Sequence, residues 1–240
     1  MYTVNERDFE KFVADNYPDG ETFLTHSEKR ERFNRQNSQI VVNKIPVAIV
    51  FIGDSITEAW ETGLYFGRYG NIVNRGIGGE RLSELTVRFK ADCLDLKPSL
   101  CVLASGINDT YPLYKRQEAG ETLTEEDYSA FLTEKEGEYD KLIAMARKNG
   151  TEIWLASVLP LGTHDFRTEL ILRLNERIKA VCARTGATYI DYHSALTESD
   201  GKTLKNVTFG DMLHPHVKGY NVMYGVLESV IEKKKRGVTR

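Results

Sequence analysis

The residues best suited to chemistry begin with Ser55, which directly follows the apolar run V-A-I-V-F-I (47–52) and Gly53-Asp54. This pattern predicts a buried strand that turns sharply into a helix, and open α/β folds keep their sites at such strand ends. The hydroxyl would be exposed there, near a helix N-terminus that favours negative charge. Asp54 or Ser55 would also serve as a simple helix N-cap. This stretch alone therefore leaves a nucleophile and a cap open.

A carboxylate and an imidazole occur three residues apart in G-D-M-L-H-P (210–215). On a turn this spacing allows Asp211 to hold one ring nitrogen of His214. The other nitrogen is then free to take a proton from a serine hydroxyl, as in a Ser-His-Asp triad. The alternative is that His214 is a structural histidine before a proline. Its position beside Asp211 favours the catalytic role.

Hydrogen-bond donors for an oxyanion are predicted at three places. They are the backbone N–H groups of Ser55 and Gly79 and the side-chain amide of Asn108. Such donors stabilise the tetrahedral intermediate of acyl transfer. Asn108 also suits a plain turn, with Asp109 capping the segment that follows.

Strands alternate with helices along the chain. Strands are predicted at 47–51, 71–74, 100–104, 152–158 and 187–191, and helices at 57–64, 81–89, 128–148, 166–184 and 217–235. This order predicts an α/β fold in which helices cover both faces of a parallel sheet. The polar stretch 110–127 is long for a loop, which indicates a lid or a substrate wall.

The N-terminal segment differs from the remainder of the chain. Residues 5–38 are charged, with aromatic and aliphatic side chains at roughly helical spacing, and Pro18-Asp19-Gly20 predicts a turn between two helical pieces. We predict a helical arm over residues 1–45 and a catalytic domain over residues 46–240. The arm would pack on this domain or on a second copy of the chain in a homo-oligomer.

Four short motifs resemble the blocks of the SGNH (GDSL) hydrolase superfamily, in the family order. They are G-D-S-I-T (53–57), N-R-G-I-G-G (74–79), G-I-N-D (106–109) and D-M-L-H-P (211–215). The resemblance implies a flavodoxin-like three-layer sandwich with about five parallel strands, and hydrolysis of acyl esters or thioesters without a metal or cofactor. It assigns Ser55, His214 and Asp211 to the triad, and Ser55, Gly79 and Asn108 to the oxyanion hole. Two departures are Glu80-Arg81, where Asp-Thr is commoner, and the long insert after Asn108.

Composition narrows the class of protein. The 240 residues carry a net charge of -3, which gives no indication of nucleic-acid binding or of attraction to an anionic membrane. No apolar stretch is long enough to insert into a bilayer. Three cysteines without ligand spacing and an N-terminus without an apolar core favour a reduced, cytoplasmic protein. A secretory leader on the native precursor stays open.

The function that these observations favour is a serine esterase that removes a short acyl group, acetyl foremost, from a small molecule or a carbohydrate. A thioesterase or lysophospholipase that acts on longer chains is the alternative, and it would need a continuous apolar groove. A non-catalytic carbohydrate-binding protein on the same fold is a third reading. The residues expected to line the substrate are Asp54, Trp60, Tyr111, Leu161 and His216.

Overall fold

Five parallel strands form the centre of the fold. The computed structural model describes residues 27–163 and 165–238. The strands are β1 (Ile49–Gly53), β2 (Ile72–Gly76), β3 (Leu100–Ala104), β4 (Glu152–Ala156) and β5 (Thr188–Ile190), in the order β2-β1-β3-β4-β5. The predicted α/β class with a parallel sheet is confirmed.

The central strands are buried on both faces. All five residues of β1 are buried, as are the first four of β3, because helices cover the sheet on each side. The chain runs from β1 to β2 on one side and then crosses to β3 on the other. This change of direction opens a crevice at the carboxyl ends of β1 and β3, where Gly53 pairs with Ala104.

Nine α-helices are described. They are α1 (Ser27–Val42), α2 (Ser55–Glu58), α3 (Thr62–Phe66), α4 (Leu82–Asp92), α5 (Tyr111–Glu118), α6 (Glu125–Asn149), α7 (Phe166–Thr185), α8 (Tyr192–Leu196) and α9 (Val217–Val238). The predicted long helices match α4, α6, α7 and α9 to within a few residues. None of the helices in the described part of the chain is long and apolar enough to cross a membrane.

The prediction of a long loop over 110–127 is wrong. Helix α5 occupies its first half, with Pro112 in the first turn, where a missing N–H does not interrupt the helix. Helix α6 begins at Glu125, because Thr124 and Asp127 form a capping box. The sequence gives little indication of α5, because only Leu113 of this helix is buried. A hydrophobic periodicity is therefore missing.

Helix α1 is the described part of the predicted N-terminal arm, and it packs against α4. Its Phe33 ring is buried, and the Arg75 guanidinium lies over that ring, 4.7 Å from its centroid. Residues 1–26 of the predicted arm lie outside the described residues. The division at residue 45 stays a prediction.

The segment between α8 and α9 is irregular and is held by backbone contacts. Isolated bridges join Thr197 to Leu204 and Thr208 to Pro215. Met212 adopts a left-handed backbone conformation with φ of 58°, and its carbonyl accepts a hydrogen bond of 2.9 Å from the Gly162 N–H. The loop after β4 therefore fixes the position of the 208–215 segment.

Gly162→Ala tests this contact. A Cβ at residue 162 would lie 2.7 Å from the Met212 Cβ, so one of the two backbones must shift. We expect the free energy of unfolding to fall by about 1–3 kcal/mol, the usual cost of overpacking, in urea denaturation. Gly210→Ala is the matched control, because its Cβ would meet no heavy atom within 4 Å. Equal losses in the two variants would contradict the assigned contact.

Candidate active site

The turn after β1 brings a serine to the crevice at the sheet edge. A Cβ on Gly53 would lie 2.0 Å from the Ala104 carbonyl oxygen, so only glycine allows β1 and β3 to approach this closely before the turn. Asp54 is the N-cap of α2, and its carboxylate accepts a hydrogen bond of 2.9 Å from the Ile56 N–H. The Asp54 side chain thus caps α2. The Ser55 hydroxyl does not serve as the cap, and it contacts a different side chain.

That partner is His214, 159 residues further along the chain. The Ser55 Oγ lies 2.8 Å from His214 Nε2, and His214 Nδ1 lies 2.6 Å from Asp211 Oδ2. The N–H groups of Leu213 and His214 both donate to Asp211 Oδ1 at 3.0 Å. The hydrogen bond from the His214 ring, followed by these backbone bonds, lowers the pKa of Asp211.

The charge on Asp211 determines the tautomer of the His214 ring. A carboxylate carries no proton, so Nδ1 must donate in the short contact with Asp211. Nε2 of the neutral ring is then an acceptor, and the Ser55 hydroxyl donates to it. This is the arrangement in which a histidine removes the proton from a serine nucleophile.

The loop between β2 and α4 presents one backbone N–H for which the described part of the chain provides no acceptor. The other N–H groups of this loop donate as follows: Ile77 to the Gly53 carbonyl, Gly78 to the Glu58 carboxylate, Glu80 to the Ile77 carbonyl, Arg81 to the Glu84 carboxylate and Leu82 to the Asp109 carboxylate. Gly79 has φ of +81°, and its N–H has no acceptor among the described residues. This N–H is thus available to a ligand.

Asn108 lies on the other side of the same loop. Its amide donates one hydrogen bond of 3.1 Å to the Glu80 carbonyl, which leaves the second N–H of the amide for another acceptor. The contact places Asn108 next to Gly79, the residue before Glu80. The structure therefore brings together the four sequence motifs that were predicted to meet.

Three of the predicted lining residues differ from expectation. Trp60 is 3% exposed and its ring stacks on Tyr220, and Leu161 is also buried in the core. Packing against other apolar side chains leaves both residues little surface for a substrate, and their role in lining it stays a prediction. Asp54 is 2% exposed and lies beneath the nucleophile turn as a cap.

The two remaining lining candidates lie on the surface. Tyr111 is 51% exposed and stacks on Tyr114 at the start of α5, with ring centroids 6.0 Å apart. His216 accepts a hydrogen bond from the Lys218 N–H, and its ring meets that of Phe209 edge-on. Their role at the margin of the site stays a prediction.

Further side chains, which were not predicted from the sequence, hold the site from behind. In the alternative interpretation of Asn108, Asp109 would cap the segment that follows it, but its carboxylate accepts the N–H of Leu82, at the start of the preceding helix α4. Lys135 is buried and lies 3.0 Å from Asp109. Glu58 accepts the Gly78 N–H. No sequence signal finds these pairs, since each forms across elements distant in the chain.

No group of three or more His, Cys, Asp or Glu side chains in the described ranges is arranged to hold a metal ion. Cys93, Cys101 and Cys182 are buried free thiols. Burial raises the pKa of Cys182 to about 11, which keeps this thiol protonated at neutral pH. The side chains described above at the site are those of Ser55, His214, Asp211 and Asn108.

Asp54 is a buried acid next to Ser55. Burial is the largest cause that raises the pKa of Asp54 from 3.8 to about 7, and the hydrogen bond from Ile56 opposes it. The folded state therefore keeps the Asp54 proton up to about pH 7, whereas the unfolded chain releases it near 3.8. As the pH rises between these two values, Asp54 increasingly destabilises the fold.

Asp54→Asn should remove this pH dependence. Asparagine has no proton to lose, and its carbonyl oxygen can still accept the Ile56 N–H. Relative to the wild type, we expect the variant's free energy of unfolding to rise by roughly 1.4 kcal/mol per pH unit up to about pH 7, and then to level off. Urea denaturation at several pH values between about 5 and 8 measures this difference. A difference that does not change with pH would show that Asp54 is ionised throughout.

Comparisons with known proteins agree with this geometry. Residues 51–222 match the model of the GDSL-like Lipase/Acylhydrolase family. Among curated proteins, none matches the chain at a significant level. A GDSL-like lipase from Bacteroides thetaiotaomicron is similar in structure, with 24% sequence identity and a TM-score of 0.62 over 96% of this chain and 100% of that chain.

A second similar structure is a variant of an acetyl xylan esterase from Geobacillus stearothermophilus. It shares 19% identity and superposes with a TM-score of 0.59 over 77% of this chain and 94% of its own. At these identities the two structures establish the fold, and the match to the family model establishes that this chain is related to the family. The chain belongs to the GDSL-like lipase/acylhydrolase family, and it is a carboxylic-ester hydrolase.

Proposed function

We propose that this protein is a serine esterase that removes short acyl groups, acetyl foremost, from oxygen atoms of a small molecule or a carbohydrate. The observation that carries the proposal is the relay of hydrogen bonds from Ser55 through His214 to Asp211, at 2.8 and 2.6 Å. The site lies at the carboxyl ends of β1 and β3, where the strand order reverses.

The proposed reaction begins with the Ser55 hydroxyl. Its oxygen attacks the acyl carbon while His214 Nε2 takes its proton, and Asp211 stabilises the imidazolium that forms. The N–H groups of Ser55 and Gly79, together with the Asn108 amide, donate to the oxyanion. His214 then protonates the departing alcohol. Water then attacks the acyl carbon of acyl-Ser55 while His214 takes a proton from it. His214 returns this proton to the Ser55 oxygen as the carboxylic acid leaves.

The openness of the site favours a small acyl group on a larger acceptor. The side chains of Asp211 and His214 are 48% and 34% exposed, so the triad lies close to the surface. A long acyl chain needs an enclosed apolar groove to exclude water. The exposed Tyr111 ring, three residues after Asn108, adds an aromatic surface beside polar groups, which suits a sugar. The similar acetyl xylan esterase points in the same direction.

One observation favours the alternative of longer acyl chains. Phe209, Met212 and Val217 are exposed apolar side chains on the segment that carries Asp211 and His214. Together they offer apolar surface at the margin of the site, which a longer chain could cover. We place the short-chain esterase first because these side chains are exposed to solvent, whereas a long acyl chain needs an enclosed surface.

Ser55→Ala tests the nucleophile. We expect ester hydrolysis to fall at least about 10³-fold, since the residual rate comes only from binding and the oxyanion donors. The thermal midpoint should change little, because Asp54 remains as the cap. A fluorophosphonate should add one equivalent of mass to the wild type and none to the variant. Wild-type turnover by the variant would exclude Ser55 as nucleophile, and an unlabelled, inactive wild type would favour a non-catalytic protein.

Acyl-chain length tests the substrate class. We expect kcat/KM to be highest on acetyl to butyryl p-nitrophenyl esters and to fall steeply from about eight carbons, since the triad lies close to the surface and a long chain needs an enclosed groove. Acetylated sugars, assayed in parallel by acetate release, should be substrates. Phe209→Ala serves as the matched variant and should leave acetyl ester turnover nearly unchanged. A preference for decanoyl or palmitoyl esters that Phe209→Ala abolishes would establish the alternative.

A further inference from the structure

A buried guanidinium lies behind the loop that carries the proposed oxyanion donors. Arg88, on α4, is buried, and its Nε lies 2.6 and 2.9 Å from the two carboxylate oxygens of Glu80. A second nitrogen, Nη2, also donates to Glu80 and, at 3.2 Å, to the Gly53 carbonyl. Nη1 donates to Asp92 at 3.1 Å. One side chain thus bonds to the ends of β1 and of the loop after β2.

These contacts connect the Arg88 side chain to the proposed donors, because Glu80 and Gly53 are each within two residues of one of them. Glu80 directly follows Gly79, and the Glu80 carbonyl accepts the hydrogen bond from the Asn108 amide. Gly53 is two residues before Ser55, and its carbonyl also accepts the Ile77 N–H. A displacement of Glu80 would therefore move both the Gly79 N–H and the acceptor that orients Asn108.

The loop is restrained by backbone hydrogen bonds to Gly53, Glu58 and Asp109, but it also contains two adjacent glycines. Gly78 and Gly79 are exposed, and glycine allows a wide range of backbone conformations. The ionic contact offsets this freedom, because a loop that withdrew Glu80 would leave the buried Arg88 guanidinium with Asp92 alone to balance its charge among the described residues. For Arg88, desolvation works against the charge, but the hydrogen bonds to Glu80 and Asp92 outweigh it and raise the pKa.

From this geometry we infer that Glu80 and Arg88 are positioning residues that hold the oxyanion donors in place for ester hydrolysis. The inference rests on the proposed roles of Ser55, Gly79 and Asn108. Neither side chain needs to touch the substrate. Their effect is on the geometry of the transition state, so it should appear in kcat rather than in KM.

The same network extends to the N-terminal helix α1. Asp92, which accepts a hydrogen bond from Arg88, also accepts hydrogen bonds from Arg30 and from the Asn37 amide, the latter at 2.7 Å. Arg75 on β2 donates to Asn37 Oδ1 at 2.7 Å. Helix α1 precedes the stretch that matches the family model, which begins at residue 51. By these contacts α1 supports the active site from outside the matched region.

Glu80→Gln tests the inference, since it keeps the shape of the side chain and removes its charge. We expect kcat on p-nitrophenyl acetate to fall roughly 10- to 100-fold with KM changed less than about threefold, a part of the loss that follows removal of an oxyanion donor. The rate of phosphonylation by a fluorophosphonate should fall in parallel, because that adduct also places an oxygen in the oxyanion hole. Leu142→Ala, a buried change on α6, is the control for lost stability. It should lower the thermal midpoint and keep kcat.

A second variant covers the case in which Glu80→Gln does not fold. Glu80→Met/Arg88→Met replaces the buried ion pair with apolar side chains, an exchange that proteins often tolerate, and Asp92 keeps its bonds to Arg30 and Asn37. We expect a folded protein with the same loss in kcat and in phosphonylation rate.

The outcomes separate the inference from the proposed function. An active wild type, an inactive Ser55→Ala and an unchanged kcat in the folded Glu80 variants would overturn the positioning role alone. A loss of kcat in Leu142→Ala as large as that in Glu80→Gln would overturn it too, since stability would then explain both. An active Ser55→Ala would overturn the proposed nucleophile and, with it, the basis of the positioning role.

Discussion

The parallel pairing of β1 with β2 and β3 is the constraint on which the rest of the structure depends. Parallel strands cannot be joined by tight hairpins, so each connection crosses the sheet through a helix or a long loop. All carboxyl ends then lie at one edge. Because β1 occupies the centre, the turn at Gly53–Ser55 faces the loop after β2 and the loop after β3 together. A serine, a backbone N–H and an amide meet there although their elements are far apart in the chain.

The contact between Ser55 and His214 places a demand on the irregular segment before α9. A hydrogen bond of 2.8 Å across 159 residues requires that both ends be fixed to within a fraction of an ångström. Ser55 is held by the end of a buried strand. His214 is held by Asp211, whose oxygens accept from its ring and its backbone, and by the Gly162 contact with Met212. Loop backbone, rather than a regular element, thus positions the proposed base.

Charge is distributed unequally about the sheet edge. On the open side, Asp211 is a half-exposed carboxylate with a lowered pKa, suited to pairing with an imidazolium. Beneath the turn, Asp54 is buried and its pKa is raised to about 7, so it is largely neutral in mildly acidic conditions. Behind the loop after β2, the charges of Glu80 and Arg88 are buried but paired. The same edge therefore combines groups proposed to act in the reaction with buried groups that maintain its shape, at some expense in stability.

The sequence alone determined the strands, the long helices and the residues of the four motifs, because these depend on local patterns: apolar runs, caps and short spacings. It also placed Asp211 within reach of His214, since three residues on a turn suffice. The tertiary structure decided which of two cap candidates is the cap, and it buried Trp60 and Leu161 in the core. It alone joined Arg88 to Glu80 and Gly53. Such pairings depend on how separate elements pack, and a linear pattern carries no record of that packing.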